Sequence, residues 1–565
     1  MADLVIGGRR ANPQKWVRAV GFVVAIVVAA FVVAWFIYRR AVSYDVPAGV
    51  APSDPLVIEP ANGGPPHLRY GSASLAWAGS IAVLRVAGDA HAIGAAEGRL
   101  LAADVAAVGK GFAAPMDGAI GGGALTHGMR VSWRYRFLDD GMSEDQRRAI
   151  AGMMRGADAS GVEIDYQDLV RDQTALDVGV PAPYSGEART HVLARGLTFV
   201  VPQPDRAGRV WIGRSFALPG TGDGGDAAAA HPVVRFLKPA KGFPWAGVGW
   251  AGLAGAVTGI NSEGLVVTVN PVRAGDVRAT RTARPIALLA RSILEQCASI
   301  DDAVKLADAT PTLGAAAITI VDGKTGHWAV LERTPAKMIV SRDPPAPAVG
   351  DLLVAPAFAD DLENDRGKRT LPTVARLARV AKLARTPLAD PLSVVNLLRD
   401  RRGADDVPLA AGHRGAIDDA AAVHVVVIDP FAMQMWVADG GASSRFRAFD
   451  LRFELRGEGD RPAPPADVAA AESTDPTDAA IRASREDLRA ARAALADDEP
   501  ARADEAVARA LARTPALPEA LELAGATARA RGDRDAAKKA YQAWFDGRPD
   551  DPGAEEEIRA QLGGL

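Results

Sequence analysis

The sequence predicts a layered α+β domain set between one membrane-spanning helix and an α-helical repeat tail. Three observations predict it. An uncharged apolar run of 20 residues lies near the N-terminus. Between residues 75 and 456, strand-like segments come in pairs and helix-like segments in groups, a pattern of layered α+β rather than doubly wound parallel sheet. Beyond residue 478, Pro515 and Pro549 stand 34 residues apart in an Ala-, Arg- and Glu-rich stretch.

The apolar run reads AVGFVVAIVVAAFVVAWFIY over 19–38. A helix of about 20 such residues spans a bilayer. Trp16, Trp35 and Tyr38 stand near its ends, where aromatic rings favour the interface. Arg9, Arg10, Lys15 and Arg18 precede it, against Arg39 and Arg40 after it, followed by Asp45. The excess of positive charge places the N-terminus in the cytoplasm. A cleaved signal peptide would carry a shorter apolar region and a small-residue site; only Ala41-Val42-Ser43 follows here. Residues 1–18 are thus read as a cytoplasmic tail and 19–40 as an uncleaved single-pass anchor. The high Arg and Ala content points to a bacterial source, with the anchor in the inner membrane and the main domain outside the cytoplasm.

Residues 41–74 carry Pro47, Pro52, Pro55, Pro60, Pro65 and Pro66 and read as an extended linker. In the domain over 75–456, strands are expected at 81–86, 197–201, 210–212, 265–269, 317–321 and 423–428. Turns fall at 205–208, 261–264 and 322–326, and helices at 91–108, 144–158, 285–299, 300–309 and 371–383. Residues 457–478 read as a second linker. Over 479–565 the 34-residue period is that of tetratricopeptide units. Gly525, Gly532, Ala537 and Tyr541 fall where such a hairpin needs close helix approach, a turn, a small residue and an aromatic. Ala491, Ala503, Val507 and Ala510 take equivalent places in the unit before. Two hairpins, with 555–561 as a capping helix, suggest docking onto the main domain or onto a protein or peptide partner.

Composition excludes several classes. Hydrophobic residues make up 48% and charged residues 24%, enough for a sizeable core and against wholesale disorder. A net charge of −4 gives no electrostatic footprint for nucleic acid. A single cysteine excludes an internal disulfide and a cysteine-based metal site. There is no H-E-x-x-H pair, and AIGGG at 119–123 lacks the Lys-Ser/Thr of a phosphate loop. The acidic loops at Asp223 and Asp226, and at Asp360, Asp361, Glu363 and Asp365, lack EF-hand spacing. No cofactor or metal is expected.

Several segments carry a family resemblance. GDAHAIGAAEGRLL (88–101), EDQRRAIAGMMRGADASGVEIDYQDLV (144–170), GVGWAGLAGAVTGINSEGLVVTVN (247–270), PIALLARSILEQCASIDDAV (285–304) and VVIDPFAMQMWVADG (426–440) occur in an order that resembles the acyl-CoA:6-aminopenicillanate acyltransferase-like family. The resemblance spans about residues 75–455. It implies a four-layer αββα N-terminal-nucleophile-hydrolase fold, self-cleaved at a cysteine that then attacks an amide or acyl donor. In such a site the freed α-amine acts as general base and fixed donors stabilise the oxyanion.

The family's nucleophile region reads roughly G-C-x-S-F, with G-R-N-x-D some residues on. Here Ala194-Arg195-Gly196-Leu197-Thr198-Phe199 and Gly213-Arg214-Ser215-Phe216-Ala217 stand in those places. Aligned on Phe199, Gly196 takes the position of the cysteine and has no side chain to attack with. Ala217 replaces the aspartate, and Ala355-Pro356 replaces a later Thr-Asn. Arg214, Asn270 and Arg376 remain as remnants, with Asn270 at the family's oxyanion position; Asn261 with Gly264 reads as a turn. Thr198 is the nearest hydroxyl and the alternative nucleophile. A Ser215–His191 pair is a further alternative, and Cys297 reads as a core residue within a helix. Three functions stay open: a degraded acyltransferase-like domain that binds a ligand or partner, an active amide hydrolase or acyltransferase with a non-standard nucleophile, and an envelope scaffold working through its helical tail.

Overall fold

The computed structural model describes residues 13–50, 53–60, 65–118, 127–178, 194–204, 206–218, 228–275, 281–370, 372–457, 465–472, 478–550 and 552–563. They form two compact units. Residues 1–45 and 122–136 make the first, and 46–121 with 137–565 the second.

In chain order the elements are α1 (Pro13–Val42), β1 (Leu56–Glu59), β2 (His67–Tyr70), β3 (Ala73–Ala78), β4 (Ile81–Gly88), α2 (Ala90–Leu100), α3 (Ala102–Gly118), α4 (His127–Tyr135), α5 (Glu144–Ala159) and α6 (Tyr166–Val178). Then follow β5 (Arg195–Pro202), β6 (Val210–Ala217), β7 (Val233–Pro239), β8 (Trp245–Gly249), β9 (Thr258–Asn261), β10 (Leu265–Val272), α7 (Ile286–Gln296), α8 (Ile300–Ala309), β11 (Ala315–Asp322), β12 (Trp328–Arg333), β13 (Met338–Arg342) and β14 (Ala348–Val349). The rest are α9 (Leu362–Thr370), α10 (Thr373–Leu383), α11 (Pro391–Leu398), β15 (Ala422–Asp429), β16 (Gln434–Ala438), β17 (Phe446–Asp450), α12 (Leu451–Arg456), α13 (Asp478–Ala496), α14 (Pro500–Arg513), α15 (Pro518–Ala530), α16 (Arg534–Asp546) and α17 (Pro552–Gly563).

The first unit holds α1 and α4. Val20–Val42 of α1 is long and apolar enough to cross a membrane, and within it only Val42 at the C-terminal end is buried.

The second unit is built on two sheets. One has the strand order β1-β2-β3-β4-β7-β8-β9-β10-β11-β12-β13, and the other β14-β5-β6-β15-β16-β17. Neighbours pair antiparallel except β4 and β7, which run parallel. Alternation along each strand sorts the side chains. Val83, Val234 and Val266 from the larger sheet meet Val200, Ile212 and Val426 from the smaller in one shared core. On the smaller sheet's other face, Leu197, Phe199 and Val427 pack with Val380 of α10 and Val394 of α11. Against the larger sheet, α7 touches β9 and β10, and α8 touches β11 and β12.

The closest helix pair is α2 with α5. A Cβ on Gly98 would sit 2.8 Å from the carbonyl carbon of Met153, and one on Gly156 2.7 Å from the Arg99 nitrogen. Glycine at these positions lets the two backbones touch. The expected helix over 91–108 is two helices, broken at Leu101. There Glu97 faces inward to pair with Arg235 and accepts a bond from Gly252 N–H at 3.0 Å.

Three expectations are corrected. The proline-rich span 41–74 is not linker throughout. β1 and β2 lie within it, and β2 pairs with β3, so the chain joins the larger sheet from Leu56. The span 457–478 also packs in part, since Val468 exchanges backbone bonds of 2.9 and 3.0 Å with Phe446 at the edge of the smaller sheet. Cys297 is the C-cap of α7, not a residue within the helix.

The last helices form hairpins, α13 with α14 and α15 with α16. Ala491, Ala503, Val507 and Ala510 are buried between them. A Cβ on Gly525 would lie 2.6 Å from Tyr541 Cζ and closer to the ring edge. The tail docks on the 405–420 segment of the same unit: Ala420 joins the tail's core, Asp550 accepts Arg414 Nε at 2.8 Å, and Asp405 accepts Arg548 Nη2 at 2.6 Å.

Candidate functional site

The residues singled out around Gly196 meet between the two sheets. β5 turns Gly196 and Thr198 inward beside Val200, and β6 turns Arg214 and Phe216 inward beside Ile212. Pairing sets Gly196 opposite Phe216 and Thr198 opposite Arg214. From the facing sheet, β10 supplies Thr268 and Asn270, and β9 supplies Thr258.

Arg214 fills this space and is fully buried. Its Nη1 donates to Thr198 Oγ1 at 3.1 Å and to Asn270 Oδ1, its Nη2 to Val269 O at 2.5 Å, and its Nε to Thr258 Oγ1 at 3.2 Å. Its guanidinium carbon lies 5.0 Å from the Phe216 ring centroid. Every acceptor is neutral. Burial therefore pushes the guanidinium down to about 9. A Cβ on Gly196 would lie 2.5 Å from Arg214 Nη1 and closer still to Asn270 Oδ1. A side chain at position 196 has no room while Arg214 and Asn270 hold these positions.

Asn270 donates from Nδ2 to Val349 O at 2.9 Å, so its amide is turned toward β14. Thr198 Oγ1 lies 2.9 Å from Thr268 Oγ1. Thr198 Oγ1 thus lies between the Arg214 guanidinium and the Thr268 hydroxyl, and no described base touches it.

Thr258 and His424 were not singled out from the sequence. Thr258 Oγ1 lies 2.9 Å from His424 Nε2, and His424 stacks on Phe216 with centroids 5.5 Å apart. Burial, then the nearby Arg214 charge, holds His424 well below its ordinary range, so the imidazole is neutral. The pair is a hydroxyl beside a neutral base, but both groups are sealed from solvent. His424 stands in AVHVVVID, where its strand position and inward parity were the only available signals.

Arg376 belongs to a different cluster. It donates to Asp419 Oδ2 at 3.5 Å and to Asp351 Oδ1 at 3.4 Å. Asp419 also takes Arg195 in a two-pronged pair at 2.5 and 2.6 Å. Burial alone would raise Asp419, but Arg195 and Arg376 hold it well below the usual carboxylate range. Arg195, one residue from Gly196, thus ties β5 to the loop before β15.

The remaining candidates do not join either cluster. Asn261 accepts from Glu263 and Leu265 N–H and donates to the carbonyls of Leu294 and Cys297, a turn role. Burial pushes the Cys297 thiol up to about 12, so it is not a thiolate. Ser215 is buried on the opposite face of β6 from Arg214, while His191 lies outside the described residues. Ala217 ends β6, and Pro356 opens a short 3-10 turn. Asp361 accepts from Gly275 and Asn364 N–H, and Asp365 pairs with Arg369. Asp223, Asp226 and the 119–123 segment lie outside the described residues. Among the described residues no group of three or more His, Cys, Asp or Glu could hold a metal.

Residues 231–443 match the family model of acyl-coenzyme A:6-aminopenicillanic acid acyl-transferase. The match covers less than half of the chain, includes Asn270 and Arg376, and begins beyond Gly196 and Arg214. The chain is also similar to solved structures, two of which follow. One is a Caenorhabditis elegans ortholog of N-acylethanolamine-hydrolyzing acid amidase, 16% identical, covering 42% of this chain and 93% of that one with a TM-score of 0.31. The other is a mutant of conjugated bile acid hydrolase from Clostridium perfringens, 11% identical, covering 50% of this chain and 100% of that one with a TM-score of 0.30. No curated protein matches the chain. Residues 231–443 are therefore acyltransferase-like, and α1 is an apolar helix consistent with a membrane anchor.

Proposed function

We propose that this is a membrane-anchored protein whose acyltransferase-like domain binds an acyl or peptide ligand, or a protein partner, without turning it over. In this reading α1 is a single-pass anchor of a bacterial inner membrane, N-terminus inside, and the domain is an αββα N-terminal-nucleophile fold outside the cytoplasm. The tail is two tetratricopeptide-like hairpins able to hold a protein partner. The observation that carries the reading is the occupancy at Gly196. Arg214 and Asn270 stand where a nucleophile's side chain would have to be, and their positions depend on each other through a hydrogen bond. An enzyme of this type needs an accessible nucleophile beside a base, and Thr198 is bonded to Arg214 and Thr268 instead. A panel of N-acyl amides incubated with the purified full chain tests this. No hydrolysis above the rate in buffer is expected. Turnover that disappears in Thr198→Ala would overturn the reading.

A second reading has one specific observation in its favour, the Thr258–His424 contact at 2.9 Å. It makes the protein an active hydrolase with a non-standard nucleophile, and turnover lost in Thr258→Ala would select it.

A further inference from the structure

The first unit contains a feature that the acyltransferase-like domain does not explain. Helix α4 is short and strongly two-sided. Met129 and Trp133, one turn apart, are 40% and 48% exposed. Arg130 and Arg134 repeat the same spacing on the adjoining strip and are also exposed. Among the described residues no carboxylate lies within ion-pair distance of either. Arg136 closes the other flank with its guanidinium 4.0 Å from the Trp133 ring centroid.

This helix is fixed to the C-terminal end of the apolar span. Tyr38 Oη donates to Met129 O at 2.8 Å. Trp35, Tyr38 and Trp133 form a stack with centroid spacings of 5.8 and 6.4 Å. Tyr44 Oη donates to Tyr135 O, and Tyr135 is buried. Aromatic side chains at the end of a span sit at the level of the lipid headgroups. Trp133 lies within the same stack, so α4 lies at that depth. Its Arg130 and Arg134 then share the headgroup level with Arg39 and Arg40, which end α1.

We propose that α4 is an interfacial helix that seats Met129 and Trp133 at the boundary between headgroups and acyl chains and engages anionic phospholipid headgroups through Arg130 and Arg134. Two features of the unit select lipid as the occupant. The exposed apolar strip is continuous with the span through the Trp35–Tyr38–Trp133 stack. The formal charge on α4 itself is all positive and complements a phosphate surface, while Arg40 at the end of α1 pairs with Asp45 at 3.5 Å. The inference is independent of whether the domain is catalytic.

The full chain reconstituted into vesicles tests it, with lipids brominated near the headgroup as the quencher. Vesicles of phosphatidylcholine alone are compared with vesicles that also contain phosphatidylglycerol. Wild type should show a quenched tryptophan component that is missing in Trp133→Phe. Phosphatidylglycerol should increase that component by about twofold, and high salt should remove the increase. Arg130→Gln/Arg134→Gln should abolish the phosphatidylglycerol dependence while quenching of the other tryptophans persists. Equal lipid quenching in wild type and Trp133→Phe, with Trp133 reached by aqueous iodide instead, would show a face turned to water and open to a protein partner, and would overturn the proposal. A Trp133 component indifferent to phosphatidylglycerol would overturn the headgroup recognition.

Discussion

Two buried arginine clusters flank the same strand and solve the problem of buried charge differently. Arg195 and Arg376 are matched by Asp419 and Asp351, and the cluster links β5, α10 and the loop before β15. Arg214, on the neighbouring strand three register positions along and facing the other sheet, has only hydroxyls, an amide and a carbonyl. Isolated buried charge is expensive, and a matched pair breaks even only with good geometry. Arg235 with Glu97 and Arg291 with Glu295 follow the matched pattern. Arg214 departs from it, and Ala217, where the family resemblance expects an aspartate, lies on the other face of β6 and pairs in register with Arg195. The contrast separates the two: the Arg195 cluster is charge-matched and ties elements together, and Arg214 is buried without a counter-charge.

The largest effect should come from breaking the matched cluster. Asp419→Ala leaves Arg195 buried without its two-pronged partner and should cost about 3–5 kcal/mol in urea unfolding of the detergent-solubilised chain. A loss below 1 kcal/mol would remove the scaffold role.

Filling the unmatched site should cost less. Gly196→Ala must displace Arg214 or Asn270 and should destabilise by about 1–3 kcal/mol through overpacking. The penalty should shrink in an Arg214→Ala background, because the two positions share one space. Equal penalties in both backgrounds would mean that Arg214 does not occupy it.

Removing the unmatched charge should cost least among the arginines. Arg214→Met gives up hydrogen bonds but also a desolvated charge, and stability should change by no more than about 1 kcal/mol. A loss as large as that of Asp419→Ala would make Arg214 structural like its neighbours.

Asp177 extends the comparison to an unmatched carboxylate. It accepts backbone N–H bonds from Ile286 at 3.1 Å and Gly314 at 3.0 Å. Burial nevertheless raises it from 3.8 to about 8. The folded chain therefore keeps a proton that the unfolded chain releases above about pH 4. This stabilising contribution is present at low pH and is lost as pH rises toward 8. Asp177→Asn keeps an acceptor for both N–H groups and should flatten the decline of stability between pH 4 and 8. An unchanged slope would reject Asp177 as its source.

What the sequence revealed follows from the range of the interactions. The span of α1 and the strands at 197–201, 265–269 and 423–428 are local patterns of hydrophobicity, and all lie inside observed elements. Gly525 against Tyr541 was also legible, because a small residue and an aromatic at fixed offsets sit on adjoining helices. β1 and β2 were hidden in a proline-rich stretch, since their pairing depends on a sheet built by later residues. The Arg195–Asp419 pair joins positions 224 apart, and no periodicity announces such a contact. Thr258 and His424 are two ordinary strand residues until the sheets are stacked. That Gly196 brings no side chain between the sheets was readable from residue type alone. That Arg214 and Asn270 stand where a Cβ at 196 would lie was not.

The central claim is that position 196 no longer supports self-activation. Intact-mass analysis of the purified full chain tests it most directly. One species with the mass of the uncut chain is the predicted result, with the Arg195–Gly196 bond intact, and Gly196→Cys should also remain uncut because Ala217 and Pro356 supply no partners. A fragment of the wild-type protein beginning at Gly196, Leu197 or Thr198 would contradict the account and make the domain a self-processing enzyme.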